Sequence, residues 1–345
     1  LNNYWVDADI AAASTLPGSF YADQNAFDAS RDKIFARTWQ WLGDLDDVQL
    51  PQTLSPRELL PGLLDEPLLL ARDAGGTLRC LSNVCTHRGN ILVNAPCQAK
   101  QIRCGYHSRR FDLDGRMSFM PEFGEARNFP SASDNLPVVP LGQWRQHGFA
   151  SLQPVAPLEA FLGDMNAAVA SLGLAEMRLD AARSRDYDIA AHWALYVENY
   201  LEGFHIPFVH AGLDEVVDTS SYTTDMFRYS SVQRAHTRDG APAAQYWWIF
   251  PNLMLNFYPW GLSLNLVQPL AIDRTRVLFR SFVAEPSKLE TGAGASLDRV
   301  EAEDEAIVQA VQRGVRSRLY TRGRYSPTRE RGVHHFHRLL CEHFS

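Results

Sequence analysis

No run of apolar residues in this chain of 345 approaches the roughly 18 needed to span a bilayer. Positive charge is also scarce, with 33 basic residues against 40 acidic ones and a net charge of −7 with histidine neutral. That balance leaves no electrostatic footprint for nucleic acid and no basic face for an anionic membrane. Cysteine is sparse and odd in number, five in all, too few for a disulfide scaffold. The opening LNNYWVDADI contains acids and no basic n-region, so no secretory signal is expected and the chain reads as cytoplasmic. Internal repeats and low-complexity tracts are lacking too. No G-x-G-x-x-G fingerprint follows a strand-like run, so no dinucleotide-binding domain is expected. What remains is ordinary globular composition, 46% hydrophobic and 21% charged, long enough for two domains at about 150 residues each.

The texture of the chain changes along its length. Phe27, Ile34, Phe35 and Trp39 recur at helical spacing and predict a helix over 26–41. From 42 to 155 short strand-like runs alternate with turn signals. Runs 68–72 and 78–84 flank Asp73-Ala74-Gly75-Gly76 as a hairpin, and 101–104 and 109–113 flank a second short loop before Asp114-Gly115. The proline-rich stretch from Pro137 to Pro157 reads as the exit from this unit. Beyond it a strand is expected over 185–190, a helix over 192–204, and strands over 253–258, 262–267 and 276–283. Gly292 and Gly294 fall in a loop before a helix from Ser296 to Leu319. The fold class is α+β. An N-terminal helical segment, 1–41, packs on the last domain; a small all-β domain spans 42–155; a larger domain, 156–345, has an antiparallel sheet surrounded by helices.

The strongest local signal is Cys85-Thr86-His87, then sixteen residues, then Cys104-Gly105-Tyr106-His107. Each pair follows a strand-like run, so both can present side chains from hairpin tips. Two thiolates and two imidazoles suit a tetrahedral zinc site, or a two-iron cluster with cysteines on one iron and histidines on the other. The mixed C-x-H…C-x-x-H order favours the cluster, and ligand chemistry alone leaves zinc open. Cys80, Cys97 and Cys341 lie outside the pattern and read as ordinary thiols. CTHRGN and CGYHSRRFDLDG resemble the binding motif of a Rieske [2Fe–2S] domain. The resemblance implies Cys85 and Cys104 on one iron, His87 and His107 on the other. Gly105 and Ser108 stand where related sequences commonly carry proline and glycine. A Rieske domain alone is an electron carrier, and here a longer segment follows it.

That segment contains Glu198-Asn199-Tyr200-Leu201-Glu202-Gly203-Phe204-His205-Ile206-Pro207-Phe208-Val209-His210. The histidines are spaced i, i+5, off one regular helical face, and Pro207 disturbs the turn between them. Either they are unrelated residues of an aromatic helix, or a broken helix brings both to one metal. A ferrous site with two histidines wants one carboxylate, leaving positions open for oxygen. Around Glu301-Ala302-Glu303-Asp304-Glu305, helical phase sets Val300, Ile307, Val308, Val311 and Val315 in one apolar stripe. Asp304 falls near its centre, where an unpaired acid is costly. Glu301, Glu303 and Glu305 read as a solvated face.

Taken together, HW…ENYLEGFH….H with Glu303, Asp304 and Gln312 downstream resembles the catalytic alpha subunit of Rieske non-haem iron oxygenases. The resemblance implies His205, His210 and Asp304 as ligands of a mononuclear Fe(II), with Asn199 nearby. It implies a homotrimer in which one subunit's cluster feeds the neighbour's iron, supplied by a reductase or ferredoxin. An acidic residue links the two centres in the family; Glu202 occupies that place, where aspartate is usual, with His107 and His205 as partners. The substrate implied is a small organic molecule hydroxylated with O2, in most of the family an aromatic ring. Glutamate at Glu202 is also a feature of carnitine monooxygenase-like members, which makes a quaternary ammonium compound the alternative. A bare electron carrier and a zinc-stapled binding protein are the non-oxygenase alternatives. Tyr246, Trp247, Trp248, Phe250, Phe257, Tyr258 and Trp260 read mainly as sheet core, some of them as pocket wall. His334, His335, His337 and His343 read as structural or exposed on a terminal amphipathic helix with Val333, Phe336, Leu340 and Phe344.

Overall fold

The computed structural model describes residues 4–172, 177–215, 217–238, 240, 242–289 and 297–345; the expected loop with Gly292 and Gly294, and Ser296, lie outside them. The chain forms two compact units, Phe35–Val155 and a second made of Leu1–Ile34 with Ala156–Ser345.

In the first unit the apolar run at Glu66–Arg72 has no polar face to turn to water. Leu69 and Ala71 pack with Ile102 and Phe111, whereas Leu68 and Leu70 pack with Leu42 and Leu45. Period-two alternation thus feeds two cores, and the strand is central in its sheet. That sheet runs Cys97–Gln98, Thr53–Leu59, Glu66–Arg72, Leu78–Ser82, Val138–Val139 in spatial order. The expected first hairpin closes with Arg72 opposite Leu78. A smaller sheet holds Ile102–Arg103, Arg110–Phe111 and Met117–Phe119, with Ile102 opposite Phe111. Cys85 and Cys104 sit on the same core as Ile102 and Phe111.

The helix expected over 26–41 is shorter. Helix α1 covers Gln24–Lys33, capped by the Asp23 carboxylate, which accepts from the Asn25 and Ala26 N–H groups. Past Ile34 the chain makes a 3₁₀ turn and enters a strand, Gln40–Asp44, with Gln40 opposite Ala150. Phe35 and Trp39 share helical spacing with Phe27 yet belong to the other unit. Strand pairing of the aromatic, β-prone segment prevails over the helical period.

The second unit is built on a seven-stranded antiparallel sheet. Its spatial order is Arg178–Ile189, Arg274–Val283, Gly261–Ala271, Leu253–Tyr258, Pro242–Ile249, Ser230–His236, Thr223–Met226. Helix α2 (Glu159–Val169), α3 (Trp193–Tyr200), the short α4 (Ile206–Val209) and α5 (Ala211–Asp214), α6 (Leu297–Gly314) and α7 (Arg331–Phe344) complete it. α3 packs on α6 and on strand Gly261–Ala271. In that strand Leu262, Leu264 and Leu266 alternate with Ser263 and Asn265, and all five are buried. A buried polar face on a sheet is costly unless it serves a site.

The inward line of α6 differs from the expected stripe. Ile307 and Val311 are 41% and 42% exposed, and the buried residues of the helix are Glu301, Val308 and Gln312, with Val315 buried just past its end. The polar needs of α3 account for the rotation. The Tyr196 hydroxyl donates to Glu301 Oε2 at 2.7 Å, and the His192 N–H donates to Gln312 Oε1 at 2.7 Å. Glu301 is therefore not part of a solvated face. On α7, Val333, Phe336, Leu340 and Phe344 are buried, and His337 bonds the Tyr325 hydroxyl at 2.6 Å.

Candidate metal centres and substrate cavity

Helix α3 stops at Tyr200, and its axis is not resumed until α4. Gly203 permits the break, since a Cβ there would lie 2.7 Å from the Tyr222 ring. His205 caps the start of α4 and His210 its end, and Pro207 sits in the first turn, where its missing N–H costs nothing. One short interrupted turn thus turns the i, i+5 pair toward one point, with ring centroids 5.1 Å apart. Asp304 of α6 faces them, its Oδ1 3.5 Å from His205 Nε2 and 3.1 Å from His210 Nε2. Among the described residues, this trio brings its donor atoms within 4.8 Å of one another.

Both imidazoles are held from behind. His205 Nδ1 lies 2.6 Å from Glu202 Oε1, and the other Glu202 oxygen accepts from the Phe204 and His205 N–H groups. His210 Nδ1 lies 2.8 Å from Glu303 Oε2, and Arg299 donates to the second Glu303 oxygen at 3.1 Å. Burial pulls the His210 pKa down, but Asp304 and Glu303 outweigh it and raise it. The His210 contact holds Glu303 below the usual carboxylate range. Carboxylates on Nδ1 leave Nε2 free, the arrangement that orients metal-binding histidines. Two imidazoles and one carboxylate fit a ferrous ion with open positions. Glu303, read from sequence as solvated, belongs to this arrangement; the signal was its place immediately before Asp304. Asn199 lines the adjoining cavity.

The two Cys-His loops share one backbone plan. Gly89 N–H returns to the Cys85 carbonyl at 3.0 Å and Cys85 N–H reaches the Asn90 carbonyl at 2.8 Å. Likewise Ser108 N–H returns to Cys104 at 3.1 Å, and Cys104 N–H reaches Arg109 at 2.8 Å. The fourth residue after each cysteine is left-handed, Gly89 at φ +70° and Ser108 at φ +61°. This accounts for glycine being usual where Ser108 stands. The two thiols are close enough to share a hydrogen bond, and the His87 and His107 ring centroids are 4.8 Å apart. Burial raises the Cys104 pKa, but the Tyr106 and His107 N–H groups outweigh it and bring it down. The Asn90 amide lies 3.6 Å from Cys104 Sγ. His107 Nδ1 is buried without a hydrogen-bond partner, as suits a nitrogen kept for metal. Two thiolates and two imidazoles presented from paired loops suit a two-iron cluster with the cysteines on one iron and the histidines on the other.

A cavity opens beside the His205, His210 and Asp304 group. The polar face of the sheet supplies one wall: Gln233, Tyr246, Asn256 and Ser263 are successive cross-strand neighbours, and all four line it. Tyr196, Tyr200, Tyr222 and Tyr258 line it too. Of the aromatic run in the sheet, only Tyr246 and Tyr258 reach the cavity, while Trp247, Trp248, Phe250, Phe257 and Trp260 are buried and do not line it. Phe208, beside the histidines in sequence, is 81% exposed.

Residues 38–130 match the model of the Rieske [2Fe-2S] domain, and residues 176–242 and 220–345 that of the ring hydroxylating alpha subunit (catalytic domain). Choline monooxygenase, chloroplastic, of Arabidopsis thaliana is 31% identical over 358 residues, covering 95% of this chain and 82% of that protein. The carnitine monooxygenase oxygenase subunit of Escherichia coli (strain K12) is 29% identical, covering 96% and 94%. The crystal structure of a quaternary ammonium Rieske monooxygenase in complex with gamma-butyrobetaine superposes with a TM-score of 0.79 at 22% identity, covering 98% of this chain and 97% of that one.

The chain belongs to the Rieske non-haem iron oxygenases, as the oxygenase subunit. It is an O2-dependent oxidoreductase whose cofactors are a Rieske [2Fe–2S] cluster and a mononuclear iron, and it draws electrons from a separate reductase. The bare electron carrier and the zinc-stapled protein are thereby set aside. Among the described residues no helix is long and apolar enough to cross a membrane.

Proposed function

We propose that this oxygenase acts on a quaternary ammonium compound and inserts one oxygen atom into it, in preference to hydroxylating an aromatic ring. The observation that carries the reading is the pairing of choline and carnitine monooxygenases among the relatives with a tyrosine-lined cavity beside the histidine–carboxylate group. Electron-rich rings attract a methylated ammonium through their faces. A planar arene would stack on the same rings, so it is the choline and carnitine monooxygenases among the relatives that support the first reading over the second.

In this reading His205, His210 and Asp304 hold the iron, and Cys85, Cys104, His87 and His107 hold the cluster. When bound, the iron supplies the redox chemistry that splits O2 with two electrons and two protons, one oxygen going to substrate and one to water. Glu202 and Glu303 fix the histidine rings by their Nδ1 protons. Asn199 lines the approach to the iron ligands. Three copies of the chain, each cluster serving a neighbour's iron, form the assembly, which sedimentation tests directly.

The test is a single turnover of the iron-replete, chemically reduced protein with O2, read by mass spectrometry against pooled arenes, arene carboxylates and trimethylammonium compounds. An oxygen gained by a trimethylammonium compound, or a methyl lost as formaldehyde, is the expected product. Oxygen on a ring with no reaction of the ammonium compounds would overturn the proposal.

A further inference from the structure

Glu301 has no part in holding the iron ligands, yet it lines the same cavity and is 4% exposed. One carboxylate oxygen accepts from Tyr196; the other, Oε1, is buried without a partner. Gln233, which also lines the cavity, is in the same position. Its amide nitrogen donates to the Tyr200 carbonyl at 2.7 Å, and its Oε1 is buried and unpartnered. Both orphaned atoms among the described lining residues are oxygens, and one belongs to an acid. Burial raises the Glu301 pKa to about 8, so the empty cavity keeps it protonated and a bound cation would displace that proton. Leaving such groups unpaired costs free energy that a ligand bearing positive charge or a donor recovers. The other two acids of the cavity, Glu202 and Asp304, face His205 and His210. Among its described lining residues there is no lysine or arginine, so a substrate carboxylate would meet acceptors and tyrosine faces without a counter-charge.

We infer that Glu301 is the specificity-determining counter-charge for the substrate's ammonium group, and that the cavity selects an organic cation without a carboxylate, of the amino-alcohol class to which choline belongs, over an amino-acid betaine such as carnitine. Its hydroxyl finds an acceptor in Gln233. The inference rests on the quaternary ammonium reading above and narrows it.

Calorimetric titration of the metal-loaded protein tests it with three probes: choline, gamma-butyrobetaine, and the tert-butyl analogue of choline in which carbon replaces nitrogen. Wild type should bind choline more tightly than either of the others. Glu301→Gln should weaken choline about ten- to hundredfold, the scale of a lost buried charge-assisted contact, and leave the neutral analogue unchanged. Equal choline affinity in the variant, or gamma-butyrobetaine binding as tightly as choline in wild type, would overturn the inference; the second result needs no variant and is immune to misfolding. Turnover separates the two levels. Oxygenation of gamma-butyrobetaine in preference to choline would keep the quaternary ammonium reading and discard this one. No binding or turnover of either cation would discard both.

Discussion

Replacing Glu303 by alanine should weaken binding of the mononuclear iron about ten- to hundredfold, the usual effect of losing a carboxylate behind a metal-bound histidine. His210 is 1% exposed with Glu303 in place, so in the wild type water does not compete for its Nδ1, and in the variant only water entering the vacated space can replace the 2.8 Å contact. Glu303 itself is 27% exposed and engages Arg299, a pair 68% exposed on the arginine side, which adds little. Glu303→Gln keeps an acceptor without the charge and should fall between alanine and wild type. Asp304→Ala, which removes the proposed carboxylate ligand, sets the limit of full iron loss. The assay is competition of the enzyme with a coloured ferrous chelator, with the visible spectrum of the cluster as an internal control for folding. Wild-type iron affinity in Glu303→Ala, with the cluster intact, would refute the claim that this carboxylate orients His210.

Glu202→Gln should keep both metals yet turn over poorly, because the amide holds the His205 ring without the charge; near-normal turnover would remove Glu202 from the electron path. Ser108→Gly should stabilise the Rieske unit by about 0.5–1 kcal/mol by relieving a side chain at φ +61°. Its side chain accepts an exposed hydrogen bond from Arg103 at 2.8 Å, which glycine gives up at little cost. An unchanged or lower thermal midpoint would contradict this. Burial depresses the His192 pKa to about 3, and its neutral Nδ1 accepts the Ala194 N–H at the start of α3. The unfolded chain then binds the proton first, so stability is full above the unfolded value near 6.5 and is lost as pH falls toward 3. His192→Asn retains an acceptor without titrating. It should lose less stability than wild type between about pH 7.5 and pH 5, measured by urea unfolding; an equal loss would point to another group.

Local chemistry was legible in the sequence wherever a few adjacent residues carried it. The hairpin at Asp73–Gly76 is turn chemistry between two β-prone runs, and the Cys85 and Cys104 loops announce themselves by ligand type and spacing. The broken helix at His205–His210 follows from Pro207 and Gly203, both visible in one segment. What could not be read depended on which surface an element would meet. Phe27, Phe35 and Trp39 lie on one helical period, and nothing local reveals that the last two belong to a different unit. The face of α6 illustrates the same limit more sharply. Counting apolar residues selects Ile307 and Val311, yet the helix buries Glu301 and Gln312, because Tyr196 and the His192 N–H on α3 require partners. Hydrophobic periodicity fails where a cavity is being built, since a wall that must recognise a polar or charged substrate is paid for with buried polar residues. Glu301 and the polar row from Gln233 to Ser263 line one cavity, whereas Gln312 lies outside it and is buried for the His192 N–H alone.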